Sequence, residues 1–164
     1  MVKFLLGIAI VAFTSYCGYV FAKKYRKRKL FFAQLKEFNE RFLSEVSYYR
    51  RPLGEFVFKY VYKGEFQNFL QNFFAEIDEL SQSNEREIAF DDCEFLKGED
   101  KSLVEDYFKM LGKGDSASQK TYFSAAKEGI TKLYSDAENE YKKYGDLYIK
   151  LGFLCGLLIL ILII

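Results

Sequence analysis

Two uncharged apolar runs, one near each end, restrict this 164-residue chain more than any other feature. The first, Phe4 to Ala22 (FLLGIAIVAFTSYCGYVFA), holds 19 residues. As a helix it covers about 28 Å, enough to cross a hydrocarbon core. A signal peptide has its positive charges before the apolar run and a small-residue cleavage site after it. Here only Lys3 precedes the run and KKYRKRK follows it, which predicts a retained transmembrane helix over 1–22. The second run, Leu151 to Ile164 (LGFLCGLLILILII), spans only about 21 Å alone. Extended back to Leu147 it reaches 18 residues, with Lys150 long enough to snorkel to the headgroups. It has no polar face, so a helix lying flat on a membrane is the poorer reading. A second transmembrane helix is expected over 147–164, with the C-terminus at the far surface.

Charge orients this hairpin. Lys23, Lys24, Arg26, Lys27, Arg28 and Lys29 form a basic juxtamembrane segment over 23–29, and short basic flanks are retained on the cytoplasmic side. Lys142, Lys143 and Lys150 mark the same side at the second helix. The expected topology is a two-pass membrane protein whose domain, 30–146, faces the cytoplasm while both termini point away. The same cations can attract anionic lipid, each contributing about 1 kcal/mol near the surface. Of the 24 basic residues, Lys3 and these six lie outside Leu30–Lys150, leaving 17 there against all 23 acids, a net of −6. That excess repels phosphate and argues against nucleic-acid binding.

The domain carries helical periodicity and no strand pattern. Phe31, Leu35, Phe38, Phe42, Val46 and Tyr49 share one face of a helix that can continue from the first apolar run. Pro52 breaks it and opens a second helix through Leu53, Phe56, Val57, Tyr60 and Val61, with Gly64 at its end. Glu65–Ser81 is the clearest amphipathic helix, Ile88–Leu96 is ambiguous, and Glu99–Leu111 forms another helix before Gly112 to Gly114. The last helix starts at Asp115 or Ser116, where Ser116 and Gln119 have capping-box spacing. No proline follows, so it is expected to run into the second apolar run, with Gly129 and Gly145 as weak points. The expected fold is all-α, an antiparallel helical bundle inserted between two transmembrane helices.

Reactive chemistry is thin. The absence of histidine removes the commonest general base and neutral metal ligand. No G-x-x-x-x-G-K-[ST] is present, so nucleotide hydrolysis would belong to a partner. Asp91, Asp92, Glu94, Glu99 and Asp100 lack the spacing of a calcium loop. Gly112-Lys113-Gly114-Asp115 makes a poor phosphate cradle, and Cys17, Cys93 and Cys155 form no disulfide framework. No catalytic residue, metal or cofactor is expected. Gly152 and Gly156 form a GxxxG, and Thr14 with Gly18 a small-xxx-small motif. Counted from Lys23 and Lys150, Gly18 and Gly156 fall within about 1.5 Å of the same depth. Whether such packing lies within one chain or between copies in a homo-oligomer stays open.

Three stretches together resemble a known family. The basic-flanked run leads into QLKEFNERFLSEVSYYRRPLGEF, similar to a pattern of Glu and Tyr before Pro-Leu, here Glu45, Tyr48, Pro52 and Leu53. LGKGDSASQ is similar to LG-x-x-D-x-x-x-Q, here Leu111, Gly112, Asp115 and Gln119, and LGFLCGLLILILII closes the chain. The chain thus resembles the stage III sporulation protein AB family of endospore-forming bacteria, least well over 65–97. The resemblance implies a component of the assembly linking mother cell and forespore, in the membrane around the forespore on the mother-cell side. Its soluble domain would be similar to the cytoplasmic domain of type II secretion and type IV pilus platform proteins. The resemblance also implies a neighbouring family member that is a secretion-type ATPase. The function expected is therefore a non-enzymatic platform that docks a motor ATPase and other channel subunits. The alternative is a lipid-binding protein that senses or shapes anionic membranes.

Overall fold

The structure, a computed structural model, describes residues 2–48, 56, 59–79, 90, 93–111, 113 and 115–163. Most of these residues are helical, with no strand among them. Helix α1 (Val2–Tyr48) joins the first apolar run to the Phe31–Phe42 stripe without a break. Helices α2 (Glu65–Glu79), α3 (Gly98–Met110) and α4 (Ser116–Glu140) follow. A single π-turn over Tyr141–Gly145 leads into α5 (Asp146–Ile163). The fold is all-α.

The second helix expected after Pro52 falls mostly outside the described residues. Where it was to end, Tyr60 to Lys63 is non-helical. Side-chain amides replace the helix's own acceptors there: the Tyr62 N–H donates to Gln67 Oε1 at 2.7 Å and the Lys63 N–H to Gln34 Oε1 at 3.0 Å. Gly64, at φ +63°, makes the left-handed turn before α2. Of the two weak points, Gly129 stays within α4, whereas Gly145 ends the π-turn. A Cβ on Gly145 would lie 2.7 Å from a carbon of the Tyr141 ring, so only glycine lets that ring settle there.

Two compact units emerge, residues 1–29 with 136–164, and residues 30–135. Contacts group residues 136–146 with the start of α1. Arg28 Nη1 meets Glu140 Oε2 at 3.0 Å, Lys29 Nζ meets Glu138 Oε1 at 3.1 Å, and the Tyr25 ring stacks on that of Tyr144 with centroids 5.7 Å apart.

Within 30–135 the core is aromatic. Phe31, Phe38, Phe66, Phe108 and Phe123 are fully buried. The Phe38 ring lies within 6.3 Å of six others, Phe42, Phe56, Tyr62, Phe66, Tyr107 and Phe108. One polar hub sits among them. Asn39, 1% exposed, donates from Nδ2 to the Phe123 carbonyl at 3.2 Å and accepts the Tyr107 hydroxyl at 3.0 Å. It thereby ties α1, α3 and α4 together. Helices α1 and α4 run antiparallel, since Lys36 lies over Tyr134 while Phe42 meets Phe123.

Within 1–29 and 136–164, α1 again meets its partner antiparallel, Gly7 against Leu160 and Gly18 against Gly152. Both helices are long and apolar enough to cross a membrane.

Candidate functional site

The sequence points to two places, the motif residues of the bundle and the basic border of the apolar helices. In the first, the turn between α3 and α4 is held by side chains on both sides. Leu111, 1% exposed, plugs the core as α3 ends. Asp115 is the N-cap of α4: its Oδ1 accepts the Ser118 N–H at 3.0 Å. Hydrogen bonds from the Ser118 hydroxyl and N–H hold the Asp115 carboxyl below its ordinary range. Gln119 is buried, and its Nε2 donates backward to the carbonyls of Met110, at 2.9 Å, and Lys113. Carbonyls at a helix end have no partner within the helix, so this amide closes the end of α3. Gln119 is thus a brace across the turn rather than half of a Ser116–Gln119 capping box. Its short distance along the chain from Ser116 mimicked that box. Gly112 lies outside the described residues.

Glu45 serves a similar purpose on α1. Buried at 5% exposure, it accepts hydrogen bonds from Lys59 Nζ and, at 3.0 Å, from the Tyr60 hydroxyl. That bonding raises the Lys59 ammonium above its ordinary range. Arg41, one turn earlier, stacks on the Tyr60 ring at 4.5 Å and the Tyr62 ring at 5.3 Å. Burial pushes the Tyr62 phenol up to about 12. Glu45 and Arg41 together pin the returning chain to α1. Tyr48 is the last described residue of that helix, and Pro52 and Leu53 lie outside the described residues.

The six border cations separate into two groups. Lys23, Lys24 and Arg26 are exposed, whereas Arg28 is 5% exposed and held by Glu140, and Lys29 by Glu138. Lys27 is half-buried. Lys29, with help from Lys142, keeps the Glu138 carboxyl below its ordinary range. Sequence reasoning treated these cations as one class because their acidic partners lie more than a hundred positions away. Glu138 and Glu140, beside Lys142 and Lys143, were the available signal. Asn39 was missed as well. A lone amide inside a phenylalanine stripe is the mark of such a hub.

Above this border Gly18, Gly152 and Gly156 lie at one helix contact. A Cβ on Gly18 would stand 2.5 Å from the Tyr148 carbonyl oxygen, and one on Gly152 would stand 2.6 Å from that of Thr14 and 3.1 Å from the Gly18 Cα. Gly156 faces Val11 and Thr14. The register differs from the depth count by one turn, because Gly18 is level with Gly152, not Gly156. Lys23 and Lys150 are not equivalent markers: the pairing of Tyr25 with Tyr144 puts Lys150 about a turn beyond the level of Lys23.

These observations agree with the comparison to known families, in which the model of stage III sporulation protein AB matches residues 3–164. The chain belongs to that family. No curated protein and no solved structure gives a match to it. Membership of the stage III sporulation protein AB family ties the chain to sporulation.

Proposed function

We propose that the chain is a non-enzymatic, two-pass membrane scaffold of the mother-cell membrane around the forespore. Its bundle faces the mother-cell cytoplasm and docks a motor ATPase and other channel subunits. One observation carries this reading beyond family membership. The described motif residues are engaged in building the domain: Leu111 in its core, Asp115 and Gln119 in a turn, Glu45 in a pin. Such residues give the domain a defined shape for partners to recognise. Membrane insertion is supported by the outward faces of the apolar helices. Phe13, Phe21, Leu154, Leu158 and Ile161 are all at least half exposed, a patch that water tolerates poorly. The exposed Lys23, Lys24 and Arg26 support this orientation.

Purification of the tagged full chain from membranes of sporulating cells tests the scaffold, and a hexameric ATPase should copurify in stoichiometric amount. Its absence under conditions that retain other channel subunits counts against motor docking. A reporter fused after Ile164 should be active only outside the cytoplasm, and one inserted at Asn84 only inside. A second reading, action on anionic lipid, is favoured by the three exposed cations. Sedimentation with anionic vesicles, lost on replacing Lys23, Lys24 and Arg26 together by Gln while copurification survives, would make lipid binding a separate activity.

A further inference from the structure

Between α3 and α4 lies an open groove of about 550 Å³ that the motif residues do not use. Its α3 wall is Glu99, Ser102, Leu103 and Asp106, and its α4 wall includes Tyr122, Ala125, Ala126 and Gly129. Both sets have the spacing i, i+3, i+4, i+7, so each is two turns of one helix face. Beyond Tyr122 the α4 wall is made of small residues. A Cβ on Gly129 would be 3.9 Å from Leu103 Cδ1, an ordinary contact, so packing of α3 on α4 does not itself require glycine there. At one end Tyr122 is held upright, its hydroxyl donating to the Asp106 carbonyl at 3.3 Å.

Charge selects the occupant. Glu99 and Asp106 are exposed on the rim, about 10 Å apart along α3, and among the described residues neither makes an ion pair. The nearby cations turn elsewhere: Lys101 lies over the Phe90 ring, Lys109 pairs with Glu105, and Lys127 with Glu40. The stretch Leu30–Lys150 carries a net of −6 besides. We propose that this groove receives an amphipathic helix of a partner protein, its small apolar face on Ala125, Ala126 and Gly129, with flanking Lys or Arg against Glu99 and Asp106. A two-turn trough with small side chains along one wall and an acidic rim matches such a helix in length and sign. The inference rests on the scaffold reading for its premise that this domain engages protein, and it names the face and the chemistry.

The test uses the full chain in nanodiscs and three labelled helical peptides. One carries Ala and Leu at i, i+3, i+4 and i+7 with Lys flanks, the second has the same stripe with Glu flanks, and the third has the Lys without the stripe. The first should bind at least about tenfold more tightly than the others and weaken as salt rises. Asp106→Lys should weaken it about tenfold, Asp106→Asn by less, and Ala125→Trp should abolish it. Ala125 and Asp106 are exposed, and unchanged melting of each variant will show that folding is intact. Equal binding of the first and third peptides, or indifference to Asp106→Lys and Ala125→Trp, overturns the proposal. So does self-association of the chain that Ala125→Trp abolishes, because a second copy would then be the occupant. If the groove fails while the ATPase copurifies, the scaffold stands with another docking face. If the peptide binds as described and no ATPase copurifies, the groove stands and motor docking falls.

Discussion

The two compact units of this chain use opposite side chains at their contacts. In residues 30–135 the rings go inward, and Phe31, Phe38, Phe66, Phe108 and Phe123 are fully buried. In residues 1–29 with 136–164 the glycines go inward, Gly18 on Gly152, while Phe13, Phe21, Phe153 and Leu158 stand at least half exposed. In water a large apolar side chain gains by leaving the solvent. In lipid it exchanges one apolar neighbour for another, and close backbone approach decides which surfaces pair. One sequence thus follows two packing rules, the second of the kind that lipid favours.

The two units should differ most when one ring is truncated in each. Phe38→Ala removes a ring that touches six others and should destabilise the bundle by about 4 kcal/mol. Phe13→Ala, on a 68% exposed residue, should change stability by less than about 0.5 kcal/mol. Denaturant titration of the full chain in nanodiscs measures both. Similar losses from the two would mean that the exposed face of α1 is covered by protein rather than lipid.

The Asn39 hub gives the next largest effect. Asn39→Leu leaves the Tyr107 hydroxyl without its acceptor in the core and should cost about 2 kcal/mol. Adding Tyr107→Phe removes the stranded hydroxyl, so the double variant should be more stable than Asn39→Leu alone. If the two losses simply add, the hydroxyl has another partner and Asn39 is not the hub.

The glycine contact comes third. Gly152→Leu places a branched side chain where even a Cβ would lie 2.6 Å from the Thr14 carbonyl oxygen. Overpacking of this kind should weaken the helix pair by about 1–3 kcal/mol. Spin labels at Leu6 and Ile159, both exposed, should report a wider or broader distance distribution in the variant while the bundle's melting is unchanged. A distance that holds would show that the pair does not depend on close backbone approach.

The fold was legible where a single helix carries its own evidence. The Phe31, Leu35, Phe38, Phe42 stripe states its period within α1, and the uncharged runs state their length. What escaped lies between helices. Gly18 and Gly156 look level when depth is counted from the nearest lysine, yet Gly18 meets Gly152, because register is set by pairing between chain segments far apart. Arg28 and Lys29 look like their neighbours until Glu140 and Glu138 are brought beside them. Gln119 sits three residues after Ser116, a spacing that a local rule assigns to capping. Only the folded turn shows its amide reaching back to Met110 and Lys113.

The smallest effect separates a cap from a charge. Asp115 in the bundle and Glu138 beside the apolar helices both have carboxyls held below their ordinary range, the first by Ser118 and the second by Lys29. A depressed folded value means that the folded state binds the proton less readily than the unfolded one. The stability each group adds is then fully present above the unfolded carboxylate range, about 4, and is lost as pH falls through the lower folded value. Asp115 is exposed and Glu138 partly so, and each contribution is modest and screened by salt. At neutral pH, Asp115→Ala should lower the melting temperature of the bundle by a few degrees, and the gap to the parent chain should narrow on acidification. Asp115→Asn keeps an oxygen for the Ser118 N–H but gives up the charge. It should melt between the two at neutral pH and show a flatter acid limb. If Asp115→Asn matches the parent chain at every pH, the cap works through its hydrogen bond alone. If Asp115→Ala also leaves melting unchanged, α4 does not depend on Asp115 for its start, and the braces at Gln119 and Leu111 suffice to set the turn.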